Sequence, residues 1–310
     1  MSSRVIAACA CLVLARACAS SPSKHASTSG RVLSASELPA RERDVLDGWH
    51  KGGAAWELER EHVLADPKLA RFLVDNLVRE MVMAYDRSAL VRSGEQAGPF
   101  ERARGELVLL SAYSTPVLVE LVAVKDGIVA FLAGDVLIDI GAPANSALLR
   151  LLADASGEVR RRAAELLGKL PNAGADEPSV QSALGERIEH DHEWIVRAEA
   201  ASALAARART HAHKGYAAAV LGRALGDPDP AVVKQAGAAL QTLGEPRAVP
   251  VLVRGLERAA QSGNPAGVQA LQQALRSLTG VKRDLDVDEW WAWWKQHGVE
   301  LVPPAGEAPR

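Results

Sequence analysis

Aromatic side chains are scarce in this chain of 310 residues: three Phe, three Tyr and seven Trp make 4%, with four of the Trp between 290 and 294. A chain so poor in aromatics and rich in Ala and Leu builds helices more readily than sheets. Cysteine is nearly absent too. Cys9, Cys11 and Cys18 all precede residue 19, so the remainder holds no disulfide and no cysteine metal site. An excess of charge is also missing. Lys and Arg number 36 against 38 Asp and Glu, a net −2 that draws the chain neither to nucleic acid nor to an anionic membrane face. The apolar run at 5–15 has 11 residues, too short to span a bilayer. No Gly-x-Ser-x-Gly elbow, Walker glycine loop, His-Glu-x-x-His or Gly-x-Gly-x-x-Gly occurs, which removes the usual marks of hydrolase, nucleotide and metalloprotease chemistry. What is there is 48% hydrophobic and 24% charged, ample for a core.

The apolar run has a purpose of its own. Arg4 precedes it as a short basic segment, in the order of a secretory signal. Cys18 is followed by Ala19-Ser20-Ser21-Pro22-Ser23-Lys24, a flexible Ser-rich tether extending to about residue 35. The segment resembles a bacterial lipoprotein signal, in which a lipidated cysteine becomes the mature N-terminus. That resemblance implies lipidation of Cys18, a lipid-bilayer anchor and a place in the bacterial cell envelope. Ala15, Arg16 and Ala17 depart from the usual Leu, small residue and Gly or Ala, whereas Ile6-Ala7-Ala8-Cys9 fits that box but has almost no apolar run before it. Ala15-Arg16-Ala17 also satisfies the Ala-x-Ala rule, which would leave a periplasmic or secreted protein. Either cleavage removes residues 1–17 and leaves a net charge of −4.

Valines recur at Val129, Val159, Val196, Val232 and Val268, spaced by 30, 37, 36 and 36 residues. Four residues after each stand Ala133, Ala163, Ala200, Ala236 and Gln272; eight after stand Leu137, Leu167, Leu204, Leu240 and Arg276. These offsets share one stripe of a helix, so each block is one amphipathic helix, with small Ala admitting a neighbour and Leu filling the layer. A second helix precedes each, at 116–124, 145–153, 179–189, 217–225 and 248–259. Asp229 with Pro230 starts one helix, and Gly141, Gly244 and Gly280 end others. Asp154, Asp191 and Asp227 each lie five residues before the repeat valine.

This pattern resembles HEAT repeats, and more narrowly the short HEAT-like repeats of phycobilin-lyase-related proteins. The resemblance rests on Asp154…Val159-Arg160…Ala163…Leu167-Gly168, Asp191…Val196-Arg197…Ala200…Leu204 and Asp227…Val232…Ala236…Leu240…Gly244, and covers about 115–280. It implies an all-α protein: a right-handed α-solenoid of about five helical hairpins. Gln272 and Arg276 depart from the frame, as terminal repeats often do. Residues 281–298 are expected to form a C-terminal capping helix, opened by an Asp286-to-Glu289 capping box and stopped by Gly298. Trp290, Trp293 and Trp294 share one stripe of that helix with Trp291 beside it, which suits sealing the open end of the stack or, alternatively, ring-stacking on a sugar or peptide. Residues 299–310 form a Pro-containing tail, expected to be disordered.

Residues 36–114 carry no repeat. Helices are expected at 37–50, 54–64 and 99–111, with a long one from Asp66-Pro67 to about residue 91. Phe131 and Ile138 are apolar at outward offsets of the first repeat, which predicts that these N-terminal helices cover them.

Candidate chemistry is thin. Two His-x-His pairs, His190/His192 around Asp191 and His211/His213, could supply a ligand set of three imidazoles and a carboxylate, but they stand in inter-helix turns where polar residues are common, and no metal or cofactor is assigned. No catalytic residue is assigned. The outward stripe of the repeat helices, with Arg161, Glu165, Lys234 and Gln241, lacks the basic ridge of a nucleic-acid binder and is the candidate interaction surface. The expected function is a non-enzymatic protein–protein interaction scaffold at the cell envelope. The alternative, which the lyase-like resemblance would allow, is a small-molecule or chromophore-handling protein.

Overall fold

The structure, a computed structural model, describes residues 38–85, 98–171, 177–208 and 214–301. The signal at 1–17, Cys18, the 18–35 tether, His211, His213 and the tail beyond 301 lie outside the described residues. The described residues form α-helices and no strand, so the fold is all-α as expected. No single described helix is long and apolar enough to cross a membrane. The chain divides into two compact units, Met1–Ala147 and Leu148–Arg310.

The first unit contains α1 (Ala40–Lys51), α2 (Gly53–Leu64), α3 (Pro67–Ala84), α4 (Gly98–Leu109), α5 (Ser111–Val122) and α6 (Gly127–Ile140). Asp66 starts α3 as expected, accepting from the amides of Lys68 (3.0 Å) and Leu69 (3.4 Å), with Pro67 in the first turn. The helix is shorter than the sequence suggested. It stops at Ala84 because Tyr85 turns extended (φ −68°, ψ 104°), so its length is about 27 Å from 1.5 Å per residue. One face of α3 buries Leu69, Leu73, Val74, Leu77, Val78 and Met81 against α4, and α5 pairs with α6 in a second hairpin. Arg60 of α2 binds Glu106 of α4 through two bonds, of 2.5 and 2.8 Å.

The N-terminal helices do pack on the first repeat, but not where expected. Arg104 of α4 reaches Asp135 (3.2 Å) and Asp139 (2.5 Å) of α6, which brings α4 alongside those carboxylates. Phe131, one turn away, stays 57% exposed, and Ile138 is half-buried.

Helix α7 (Asn145–Leu151) spans the boundary between the units. The second unit continues with α8 (Gly157–Lys169), α9 (Glu177–His190), α10 (Trp194–Ala208), α11 (Lys214–Ala224), α12 (Pro230–Leu243), α13 (Val249–Gln261), α14 (Pro265–Thr279) and α15 (Val287–Leu301). Helices α9–α10, α11–α12 and α13–α14 are hairpins, and they stack as two layers: α8, α10, α12 and α14 in one, α9, α11, α13 and α15 in the other. This is an α-solenoid. Val196, Val232, Ala163, Ala200, Ala236, Leu167, Leu204 and Leu240 are all fully buried between layers, as the valine frame required. Close approach sets one limit: a Cβ on Gly168 would lie 2.8 Å from the Ala203 backbone, so α8 and α10 meet there only because residue 168 is glycine.

The last repeat is displaced by one residue. In α14 the buried stripe is Gly267, Leu271, Ala274 and Leu275, while Val268 and Gln272 are half-buried. Leu271 takes the place that Ala holds in the earlier repeats, and it fits because Gly237 of α12 leaves space beneath it; a Cβ there would lie 3.2 Å from Leu271 Cδ2. Gln272 is thereby free to bond the C-terminal helix. It accepts from Trp290 Nε1 (2.9 Å) and donates to the Leu285 carbonyl (2.7 Å).

That helix, α15, opens with the expected capping box: Glu289 N donates to Asp286 (2.8 Å) and Asp286 N to Glu289 (2.9 Å). It packs chiefly on α13 rather than on α14, continuing the second layer by half a repeat. Trp290 is fully buried, but Trp291, Trp293 and Trp294 are only half-buried. Gly298 does not stop the helix, which runs to Leu301. Its missing Cβ instead seats the Trp294 ring, which a methyl group would meet at 2.8 Å.

Candidate functional site

The layer of α8, α10 and α12 presents the outward stripe singled out above. Arg161 and Glu165 come together directly. Arg161 binds Glu158 through two bonds of 3.0 Å and donates to Glu165 at 3.2 Å, while Lys169 holds the other oxygen of Glu165 at 2.6 Å. Arg161 also lies 3.8 Å from Glu199 of α10, so the network crosses from one repeat to the next. Burial pushes the Glu165 carboxyl up, yet Lys169 and Arg161 outweigh it and hold the group below its ordinary range. Glu199 goes the other way: burial and then the neighbouring charge of Glu165 raise it, against the pull of Arg161. The Arg161 guanidinium is held protonated more firmly than usual, chiefly by its bonds to Glu158.

Lys234 and Gln241 lie two helices further along the layer, on α12. Seven residues apart, they share a face about 10 Å long at 1.5 Å per residue. Lys234 is exposed and Gln241 half-buried. Between the two pairs, Gln235 of α12 donates to Ser202 of α10, which ties those helices together at mid-length. The four expected residues thus lie in this layer as two separate pairs, Arg161 and Glu165 bound to each other on α8, and exposed Lys234 with half-buried Gln241 on α12, with α10 between them. Glu199, Ser202 and Gln235 belong to the same layer and carry no distinguishing mark in the sequence beyond their place on the outward stripe.

What keeps this layer in register lies at the helix N-termini. Arg160 of α8 grips both oxygens of Asp191 at 2.7 and 2.8 Å and donates to the carbonyls of Asp154 (2.9 Å) and Ala155 (3.1 Å). Arg197 of α10 repeats the pattern with Asp227 (2.7 and 2.9 Å) and the Asp191 carbonyl (2.8 Å). The Asp191 side chain is 0% exposed and that of Arg160 4%. Burial drives the Asp191 carboxyl up, but the Arg160 bonds, the Glu193 amide and Arg187 prevail and leave it below the ordinary range. Asp191 and Asp227 therefore tie successive repeats together, whereas the Asp154 carboxylate accepts from the nearby Ser156 amide at 2.8 Å. A further, fully buried pair, Arg207 with Glu177 (2.8 and 2.6 Å), pins the start of α9 to α10, while Arg207 also reaches the Leu167 carbonyl at 2.7 Å.

Asp191 is gripped by Arg160 through both oxygens and His192 Nδ1 approaches it only to 3.9 Å, while the side chains of His190 and His192 are 64% and 75% exposed. Among the described residues no group of three His, Cys, Asp or Glu is placed to hold a metal ion.

Residues 115–205 match the sequence family of HEAT repeats. No curated protein matches the chain in sequence. Among solved structures the chain is similar to the karyopherin Kap121p bound to the extreme C-terminus of the protein phosphatase Cdc14p, at 13% identity and a TM-score of 0.45, over 96% of this chain and 31% of that one. It is likewise similar to Kap121p bound to the SUMO protease Ulp1p, at 13% identity and a TM-score of 0.46 with the same coverage. This chain therefore spans 31% of the length of those solved chains.

Proposed function

We propose that this protein is a non-enzymatic protein–protein interaction scaffold that docks its partner on the α8–α10–α12 ridge. The observation that carries this reading is the ridge itself. Buried Arg–Asp pairs fix three successive helices in register, while exposed Lys234 and half-buried Gln241 stand on that rigid base. A surface whose supports are already ordered gives up little entropy when a partner binds. The HEAT-repeat match supports the same reading, since stacked repeats present extended binding faces. We further propose that the chain is exported and tethered to the bacterial cell envelope through lipidated Cys18, on the strength of its N-terminal sequence.

Affinity capture from envelope fractions tests the docking face. A partner recovered with the parent protein should be lost with Lys234→Glu/Gln241→Glu, in a variant whose thermal unfolding is unchanged. Recovery of the same partner by that variant contradicts the ridge. Mass spectrometry of the mature N-terminus tests the anchor: acylated Cys18 is expected, and an unmodified start at Ala19 or Ser20 refutes it.

A further inference from the structure

The repeat interfaces of the second unit are built alike twice and differently once. In α8 and α10 the linking arginine, Arg160 or Arg197, lies four residues after the residue that precedes the helix, and its aspartate lies two before the corresponding residue of the next repeat. Applied to α12 and α14, the same count falls on Val233 and Ser262. Both partners of the third link are therefore replaced. Where the third arginine would lie there is a cleft of about 480 Å³, lined among others by Asp227, Pro228, Val233, Arg258, Ser262 and Asn264.

We propose that this cleft receives the guanidinium side chain of an arginine on a protein partner, which supplies from outside the link this repeat omits. The Asp227 carbonyl is the counterpart of the Asp154 and Asp191 carbonyls, which accept from Arg160 and Arg197 at 2.9 and 2.8 Å. Ser262, standing where the carboxylate would stand, donates to the Ala259 carbonyl at 3.2 Å and keeps its lone pairs for an incoming donor. Pro228 and Val233 give apolar wall for a methylene stem. Serine in place of aspartate also matters when the cleft is empty, because no buried carboxylate is left without a partner. Two charged side chains face the cleft. The Asp227 carboxylate is already held by Arg197, and Arg258 at the rim opposes a second cation, so occupancy is weak and reversible. A planar fork of donors suits two separated acceptors better than a lysine ammonium does.

The inference rests on the docking reading for the source of the arginine, but its test does not use the partner. N-acetyl-arginine N-methylamide, titrated into the isotope-labelled full chain, should give saturable amide shifts confined to 225–233 and 258–266, with a Kd on the order of 1 mM. The blocked lysine analogue should bind about tenfold more weakly. Val233→Arg should fill the cleft from within and abolish the shifts; if that variant fails to fold, Arg258→Gln should tighten binding several-fold instead. Absence of a saturable shift at roughly ten times the expected Kd overturns the proposal, as does equal binding of the lysine analogue. Binding that persists in a folded Val233→Arg protein, or is unchanged by Arg258→Gln, also overturns it. Failure here with partner capture still lost in the ridge variant would leave the docking reading standing.

Discussion

Trp290→Ala removes a fully buried indole from the C-terminal helix together with its 2.9 Å bond to Gln272. Truncating a buried aromatic to alanine costs about 3–5 kcal/mol. The lost hydrogen bond adds about 1 kcal/mol, since Gln272 keeps its other bond, to the Leu285 carbonyl. In a unit of this size each kcal/mol moves the melting point by about 2–4 °C, so a fall of roughly 10–20 °C is expected. Repeat stacks lose stability from the neighbour outward, so α15 and then α13 should exchange amide hydrogens before α10 does. Circular dichroism with site-resolved hydrogen exchange reads both effects. Trp290→Phe should keep most of the packing and lose about 1 kcal/mol. Trp291→Ala, Trp293→Ala and Trp294→Ala should each cost less than Trp290→Ala because those rings are half-buried. An unchanged melting point for Trp290→Ala, or a larger loss for Trp294→Ala, would refute this assignment of the cap.

Arg160→Ala strands a buried aspartate and should cost about 3–5 kcal/mol at neutral pH by thermal unfolding, more than Arg197→Ala, whose pair is less deeply buried. Because Asp191 is held below its ordinary value of 3.8 in the folded state, its contribution is fully present above that pH and is lost as pH falls through the folded value; the cost of Arg160→Ala should shrink there. Glu199 is raised when folded, so Glu199→Gln should stabilise the protein at pH 7, and the gain should vanish in acid once the parent carboxyl is protonated, a comparison read from paired melting curves. Leu204→Asp places an unpaired charge at a position with no exposure and should abolish the cooperative helical transition of the second unit.

The stack was legible in the sequence because burial repeats. Val196, Ala200 and Leu204 mark an inner stripe without reference to any partner. The slip at α14 was not legible, because Val268 is apolar and falls at the expected interval; only the space over Gly237, a contact 34 residues away, selects Leu271 and moves the frame. The end of α3 was misplaced for a related reason: its apolar pattern continues past Ala84, while the extended Tyr85 that stops it has no local signal. For the ridge, helical spacing identified the outward residues but not their engagements. Arg161, an outward residue by its spacing, is held by three carboxylates. The Arg160 and Arg197 links had a signal that could have been read, since each arginine precedes its aspartate by 31 or 30 residues at matching places in the repeat.

The claim that the α8–α10–α12 ridge is the docking face is tested most directly by photo-crosslinking in cells. A photoreactive residue at position 234 or 241 should yield a discrete adduct with one protein. The same residue at Arg254 or Glu257, exposed on α13 in the other layer, should yield none. Adducts from 254 and 257 with none from 234 and 241 would contradict the account.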